Sequence, residues 1–347
     1  MSKARRSNIA HRHHYVPEFH LARFTPTKSK DDRLWVTDLK TAKSWQDLPR
    51  NLAWARDFYS VDLPGLSADA VELAIAREWE SPAAHVLEVI TGGSAVPAED
   101  LGTLLEYVAL LATRVPAARR KARGALERAV VERVCQDTES RESWQAVVQG
   151  AKRFGISLDD DEDLEELRLA ITGGHVRVNM DQSHAVASVL ESGEAVFDAL
   201  VQRAWSVVVA ADPYVFICSD NPTNLDLEFV PRGPLRPMVR VPCDAVFVPL
   251  SPEVALGADV PGDAATFRFS RGVPPADDKM KAGVAAINAV TALSAERFIY
   301  STREDFFCAL PGGAIGGKAQ FLESYGRLKE THGASRVSPP QHERSDI

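Results

Sequence analysis

The chain has 347 residues, 45% of them hydrophobic and 25% charged. That is an ordinary globular composition, with enough apolar material for one large domain or two ordinary ones. A formal charge of −8 argues against a general electrostatic attraction to nucleic acid or an anionic membrane.

The basic start "MSKARRSNIAHRHHYV" has no apolar stretch behind it, so it does not read as a secretory signal. No window approaches the ~20 apolar residues of a membrane span, and a cytoplasmic protein is expected. The four cysteines, Cys135, Cys218, Cys243 and Cys308, show no CxxC spacing. They are expected to be buried reduced thiols and give no support for a structural zinc site.

In chain order, strand-like material comes first. "RLWVTDL" (33–39) and "KSWQDL" (43–48) predict a hairpin, and "DFYSVD" (57–62) a third short strand. Helical periodicity then takes over. "SADAVELAIAREWE" opens with Ser67 as N-cap, and Ser81-Pro82 restarts a helix that ends at Gly92-Gly93. From Pro97 to about Cys135, Leu101, Leu104, Leu105, Val108, Leu111 and Ala112 recur at helical spacing, with Pro116 kinking or splitting the segment. Further helices are predicted at 140–154, 161–172 and 181–204, the last with a stripe of Val186, Val189, Leu190, Val196, Leu200 and Val201.

Strands return with "WSVVVAA" (205–211) and "YVFICS" (214–219), split at Asp212-Pro213, then "CDAVFVPLS" (243–251) and "ATFRFS" (265–270). A helix at about 277–294, a strand "RFIYS" (297–301) and a short helix at about 318–328 close the pattern. The polar tail 331–347 is expected to be disordered. A helical middle (67–204) between strands predicts a single α+β domain over 11–310. Its sheet is mixed or antiparallel, with N- and C-terminal strands possibly shared.

Charge is uneven. Residues 1–30 hold seven Lys/Arg and one acid, Glu18, and residues 114–133 hold seven Lys/Arg against Glu127 and Glu132. "DDDEDLEEL" (159–167) is nearly all acidic. Such runs read either as solvated faces or as local attraction for anions. "GGAIGGK" (312–318) lacks phosphate-loop spacing.

Four stretches carry candidate chemistry. In "HHYVPEF" (13–19), Pro17 holds Val16 extended, so His13 and His14 point to opposite faces and one of them can face a cleft while the other packs. In "VFICSDNPTN" (215–224), Ser219, Asp220 and Asn221 sit at the end of a hydrophobic strand. They read as a site or as a local Asp/Asn turn. In "LLATRVPAAR" (110–119), Arg114 on an apolar face needs a carboxylate or an anionic ligand, and Asp220 is one candidate partner. Asn288, within an apolar helix, either satisfies backbone groups or reaches the same site.

Together these stretches resemble an uncharacterised bacterial family, domain of unknown function 4238. The resemblance rests on "HHYVPEFHLARF", "TRVPAAR", "CSDNP", and "IN" at 287–288 followed by "RFIYS", in that order over about residues 11 to 301. His20 stands where the family pattern leads one to expect an aromatic, and it is left out of the site. The resemblance implies that His14, Arg114, Asp220 and Asn221 converge, with His13, Tyr15, Ser219 and Asn288 contacting substrate. It establishes no reaction.

Two readings follow. In the first, the chain is a hydrolase for an anionic substrate, a phosphodiester or nucleic acid. His14 is base or metal ligand, Asp220 ligates a divalent ion or orients the histidine, Arg114 neutralises phosphate, and Asn221 positions substrate or water. In the second, the same residues form a buried network in a non-catalytic ligand- or partner-binding protein. Accessibility of His14 and Asp220 discriminates between them.

Overall fold

The computed structural model describes residues 11–61, 67–94, 96–137, 142–146, 149, 166, 170, 182–231, 237–241, 245–258, 270–272 and 277–335. The fold is α+β. The first element, β1 (Arg12–His14), is extended ahead of Pro17 and followed by the short helix α1 (Glu18–Ala22). Next come β2 (Leu34–Asp38) and β3 (Ser44–Asp47), the predicted hairpin, with Ala42 at φ 56 in its turn. The third strand of this region is β4 (Trp54–Arg56), which pairs antiparallel with β1 and places His14 opposite Trp54. It precedes the expected 57–62 segment, where Asp57 at φ 53 turns the chain away.

The helical middle contains α2 (Ala70–Ile75), a π-helical stretch (Ala76–Glu80), α3 (Ser81–Thr91), α4 (Ala98–Thr113), α5 (Pro116–Asp137) and α6 (Gln182–Val201). Ser67 is not the cap of α2: Asp69 precedes the helix without a side-chain cap bond, and Ser67 offers only its carbonyl, to Ala70 N. Nor does the chain break at Ser81-Pro82. The wider π turn carries the helix through, and Pro82 falls in the first turn of α3, where its missing N–H costs little. Gly93 at φ 95 ends α3. Pro116 divides α4 from α5, which meet at 66°. The expected helices at 140–154 and 161–172 and the acidic run lie mostly outside the described residues.

Leu104, Leu105, Val108 and Leu111 of α4 are all buried, as are Val196 and Leu200 of α6, which packs against it. Each fully buried Leu or Val contributes about 1.5–3 kcal/mol relative to exposure. Leu190 of the predicted α6 stripe is instead 38% exposed.

The C-terminal part adds β5 (Trp205–Val209), β6 (Cys218–Ser219), the hairpin β7 (Glu228–Pro231) and β8 (Pro237–Arg240), β9 (Val246–Pro249), β10 (Val254–Ala258) and β11 (Ser270–Gly272). Then follow α7 (Asp278–Ser294), β12 (Phe298–Ser301), the hairpin β13 (Phe307–Ala309) and β14 (Ile315–Gly317), and α8 (Lys318–Ser335). Of "ATFRFS" only Ser270 is described. Helix α8 runs past residue 328, so residues 331–335 of the expected tail are helical. The glycine-rich 312–318 stretch turns the β13–β14 hairpin, with Gly312 and Gly313 at φ 78 and 82.

One sheet has the order β11-β5-β10-β9. The other has the order β3-β2-β12-β6, fully antiparallel. This second sheet joins the N-terminal hairpin to the C-terminal strand "FIYS", and so brings the two ends of the sequence together. Only Cys218 and Ser219 of the expected strand 214–219 pair in it. Upstream, Ile217 N donates to the Asn288 side chain instead of to a neighbouring strand.

Candidate functional site: a histidine cleft beside a saturated aspartate junction

Because β1 is extended, its two histidines point to opposite sides. His13 is fully buried, and its Nδ1 accepts from Tyr59 N at 2.7 Å while its ring stacks on Tyr59. His14 is half-buried and lines a cleft of about 320 Å³ with Pro17, Glu18, Lys30, Glu72 and Glu80. Its Nε2 is buried without a hydrogen-bond partner. Burial lowers the His14 pKa below 6.5, opposed chiefly by the Glu18 carboxylate, so the ring is neutral at pH 7.

Across the cleft, Glu72 Oε2 is likewise buried and unpartnered. Burial raises the Glu72 pKa to about 7, with Arg114 opposing and Glu80 adding to the rise. A carboxyl group poised near neutrality on the same cleft as a neutral imidazole can exchange protons with a ligand.

Arg114 caps the C-terminal end of α4 and is fully buried. Its Nη1 pairs with Glu80 Oε1 at 2.5 Å, its Nε donates to Tyr59 Oη at 3.1 Å, and its Nη2 donates to the His14 carbonyl. Tyr59 Oη in turn donates to the Arg114 carbonyl. Burial alone would lower the Arg114 pKa, but Tyr59 and Glu80 outweigh it and keep the group charged. The acid that Arg114 needs is therefore Glu80. Each guanidinium nitrogen has an internal acceptor, so the residue holds β1 to the π-helical stretch.

Asp220 occupies a different setting. It is 4% exposed. Its Oδ1 accepts from Glu296 N at 2.8 Å, and its Oδ2 accepts from Arg297 N at 2.9 Å and Phe298 N at 3.0 Å. Its own N–H donates to the Phe298 carbonyl. Burial raises its pKa to about 6, against the pull of these backbone donors.

The side chains of Ser219, Asn221 and Asn288 also bond to backbone groups, while Ser294 Oγ and Glu296 Oε1 beside them are buried without a hydrogen-bond partner. Ser219 Oγ donates to the Asn221 carbonyl at 2.7 Å, and Asn221 Nδ2 donates to the Ser294 carbonyl at the end of α7 at 2.9 Å. Asn288 accepts from Ile217 N and donates to the Val215 and Phe307 carbonyls. Asp220, Asn221 and Asn288 thus fasten the chain at 215–221 to α7, β12 and β13, and Ser219 closes the local turn.

The residues proposed from sequence thus divide. His14 lines the cleft and Arg114 is buried against its wall, bonded to Glu80 and to the His14 carbonyl, while Ser219, Asp220, Asn221 and Asn288 form the junction. Tyr15 packs against Phe58, and its phenol pKa is raised by burial and then by the nearby Asp220 and Glu296 carboxylates. The N-terminal group beside Asp220 is therefore Tyr15, and no hydrogen bond or ion pair joins His14 to Asp220 among the described residues. A divalent ion held by that pair does not fit this arrangement, because both Asp220 oxygens are filled by backbone donors. Among the described residues no group of three or more His, Cys, Asp or Glu is placed to hold a metal ion. His20 is buried, contacts Tyr107 Oη at 3.1 Å, and has its pKa lowered to about 3 by burial.

Sequence reasoning missed Glu18, Glu72, Glu80 and Tyr59. The available signal was Glu72 and Glu80, two helical turns apart in "VELAIAREWE", though such acids usually read as a solvated face. The basic 114–133 stretch is compensated in part. Arg120 pairs with Glu296 at 2.6 Å, Lys121 with Asp226 and Arg123 with Glu127, whereas Arg119 stacks 3.4 Å over Phe58 with its Nε and Nη2 buried and without a hydrogen-bond partner.

Fold and site define an α+β protein with an acid- and histidine-lined cleft and a separate buried polar junction. The chain belongs to the family described as protein of unknown function (DUF4238), whose profile matches residues 12–305 and so covers both regions. No curated protein and no solved structure matches it. Among the described residues no single helix is long and apolar enough to cross a membrane.

Proposed function

We propose that the chain is a hydrolase working at the His14 cleft, with His14 and Glu72 as its proton-transferring pair. The observation that carries this reading is the presence of two buried, unpartnered polar atoms, His14 Nε2 and Glu72 Oε2, on one accessible cleft. Neutral His14 takes a proton from water, and the water oxygen bonds to the electrophilic centre of the substrate. The bond to the leaving group breaks, and protonated Glu72 gives its proton to that group. Proton exchange with solvent restores both residues.

The expectation of a phosphodiester or nucleic acid loses the group meant to neutralise phosphate, because Arg114 is filled internally. The cleft holds Glu18, Glu72 and Glu80 against Lys30, and its size suits a small molecule. A cytoplasmic setting accords with the buried free thiols of Cys218 and Cys308.

The second reading, a non-catalytic binding protein, is favoured by the saturated Asp220 junction. The test is a substrate panel of carboxylic esters, phosphomonoesters, phosphodiesters, DNA and RNA with the wild type, His14→Gln and Glu72→Gln. The hydrolase reading expects turnover of one class to fall roughly 10²–10⁴-fold in either variant. Equal rates in all three proteins would remove the pair from the chemistry, and ligand binding without turnover would favour the second reading.

A further inference from the structure

A second cleft, of about 480 Å³, adjoins the first; Phe19 and Lys30 line both. The two halves differ in charge. Around His14 the walls carry Glu18, Glu72 and Glu80, whereas the second cleft carries Arg23, Lys28 and Lys30 against Glu88.

The second cleft is built rather than incidental. Arg23 is half-buried at the end of α1. Its Nη1 donates to Thr91 Oγ1 at 2.9 Å and its Nη2 to the Ala84 carbonyl at 3.1 Å, while its Nε is buried without a partner. Thr91 is oriented by donating its own proton to the Leu87 carbonyl at 2.6 Å. Both acceptors of Arg23 are neutral, so the guanidinium is positioned but its charge has no ion-pair partner among the described residues. A partly desolvated cation in that state favours an anion.

The loop that supplies the two lysines is fixed as well. Thr25 Oγ1 donates to the Ala22 carbonyl at 2.7 Å and accepts from Ser29 N at 3.0 Å. Asp32 Oδ2 accepts from Thr27 N and from Thr27 Oγ1. Lys28 adopts φ 57, a left-handed conformation that a lysine rarely takes, and pairs with Glu253 at 3.3 Å. Lys30 is exposed and has no ion-pair partner among the described residues.

We propose that Arg23 and Lys30, with Lys28 at the rim, bind a phosphate group carried by the substrate whose bond is broken at His14. This rests on the hydrolase reading above and adds the substrate class, a small phosphorylated molecule. The phosphate is the anchor. The scissile bond lies away from it, toward the acid-lined half of the groove. A guanidinium and two ammonium groups favour a doubly charged phosphate over a singly charged carboxylate.

The test is calorimetric titration of the full chain with inorganic phosphate, with acetate as a second arm and sodium chloride matched for ionic strength. Saturable phosphate binding is expected, tighter than acetate. Lys30→Gln and Arg23→Gln should each weaken it roughly tenfold or more, as loss of one charge-assisted hydrogen bond implies. Lys40→Gln, on the exposed β2–β3 turn, should leave it unchanged. Arg23→Gln also removes contacts to α3, so Lys30→Gln, exposed and without a partner, supplies the arm that does not depend on folding. Absent binding, or binding that Lys30→Gln leaves intact, overturns the proposal. Phosphate binding without turnover of any substrate would keep the anchor and remove the hydrolase reading. Turnover lost in His14→Gln, with no phosphate binding in the wild type, would do the reverse.

Discussion

The Asp220 junction and the His14 cleft are both polar and lie within one family match, yet they are finished differently. At the junction, both oxygens of Asp220 and the amide of Asn288 are matched by backbone groups of neighbouring elements, and Asn221 Nδ2 donates to the Ser294 carbonyl. At the cleft, Arg114 is equally complete, but His14 Nε2 and Glu72 Oε2 are left open. A satisfied buried network holds a fold together, whereas buried polar atoms left open on an accessible wall mark where a ligand completes the set. The motif that looks most like an active site by its residue types, Ser-Asp-Asn, is the one whose side chains bond to backbone groups.

Substitutions at the two regions should separate these roles. The largest effect belongs to Arg114→Met. It leaves Glu80 as an uncompensated, partly buried charge, and urea unfolding should show a loss of about 3–5 kcal/mol. Asp220→Asn replaces a two-oxygen acceptor with one carbonyl and one donor facing three N–H groups. A loss of about 1.5–3 kcal/mol is expected in the same measurement, and His14-dependent turnover per folded molecule should be retained. If that turnover vanished while the protein stayed folded, Asp220 would belong to the chemistry after all.

Smaller effects are read from pH. Arg297 hydrogen bonds hold the Asp38 carboxyl down at about 2. Its folded pKa lies below the unfolded value of 3.8, so its stabilisation is present above about pH 4 and is lost as pH falls through about 2. Asp38→Asn should flatten the acid limb of a stability–pH curve there. Glu72 has the opposite sign. Its folded pKa of about 7 lies above 4.5, so its stabilisation is present below pH 4.5 and is lost as pH rises through about 7. Glu72→Gln should remove that decline and so leave the variant more stable than the wild type at neutral pH. A group whose replacement raises stability at neutral pH but abolishes turnover is what the cleft reading requires.

Much of the scaffold was legible because its signals are local. Alternation gave the β2–β3 hairpin, Gly92-Gly93 gave the end of α3, and the 277–294 periodicity gave α7, whose Asp277 cap accepts from Lys279 and Met280 N–H groups. The strand "RFIYS" reaching back to β2 was legible as a shared sheet. The division of the site was not. Whether an Asp-Asn pair after a strand faces a cleft or three backbone N–H groups depends on what packs against it, and in this chain that is the 296–298 turn, some eighty residues away. Arg114 needed an acid, but only the π-helical stretch decides that Glu80 supplies it, and that stretch has no periodic signature. His14 was legible as a candidate because adjacent residues in an extended lead-in must diverge. Glu72, which lines the same cleft, was not, because a single acid in an amphipathic helix resembles any solvated position.

The most direct test of the account is a site-resolved NMR titration of the His14 imidazole and the Glu72 carboxyl in the intact chain. The account predicts that Glu72 titrates near 7 and His14 below 6.5, so that near neutrality one holds a proton while the other can accept one. Glu72 titrating at its ordinary 4.5 with His14 at or above 6.5 would contradict it, leaving the cleft without a proton-transferring pair.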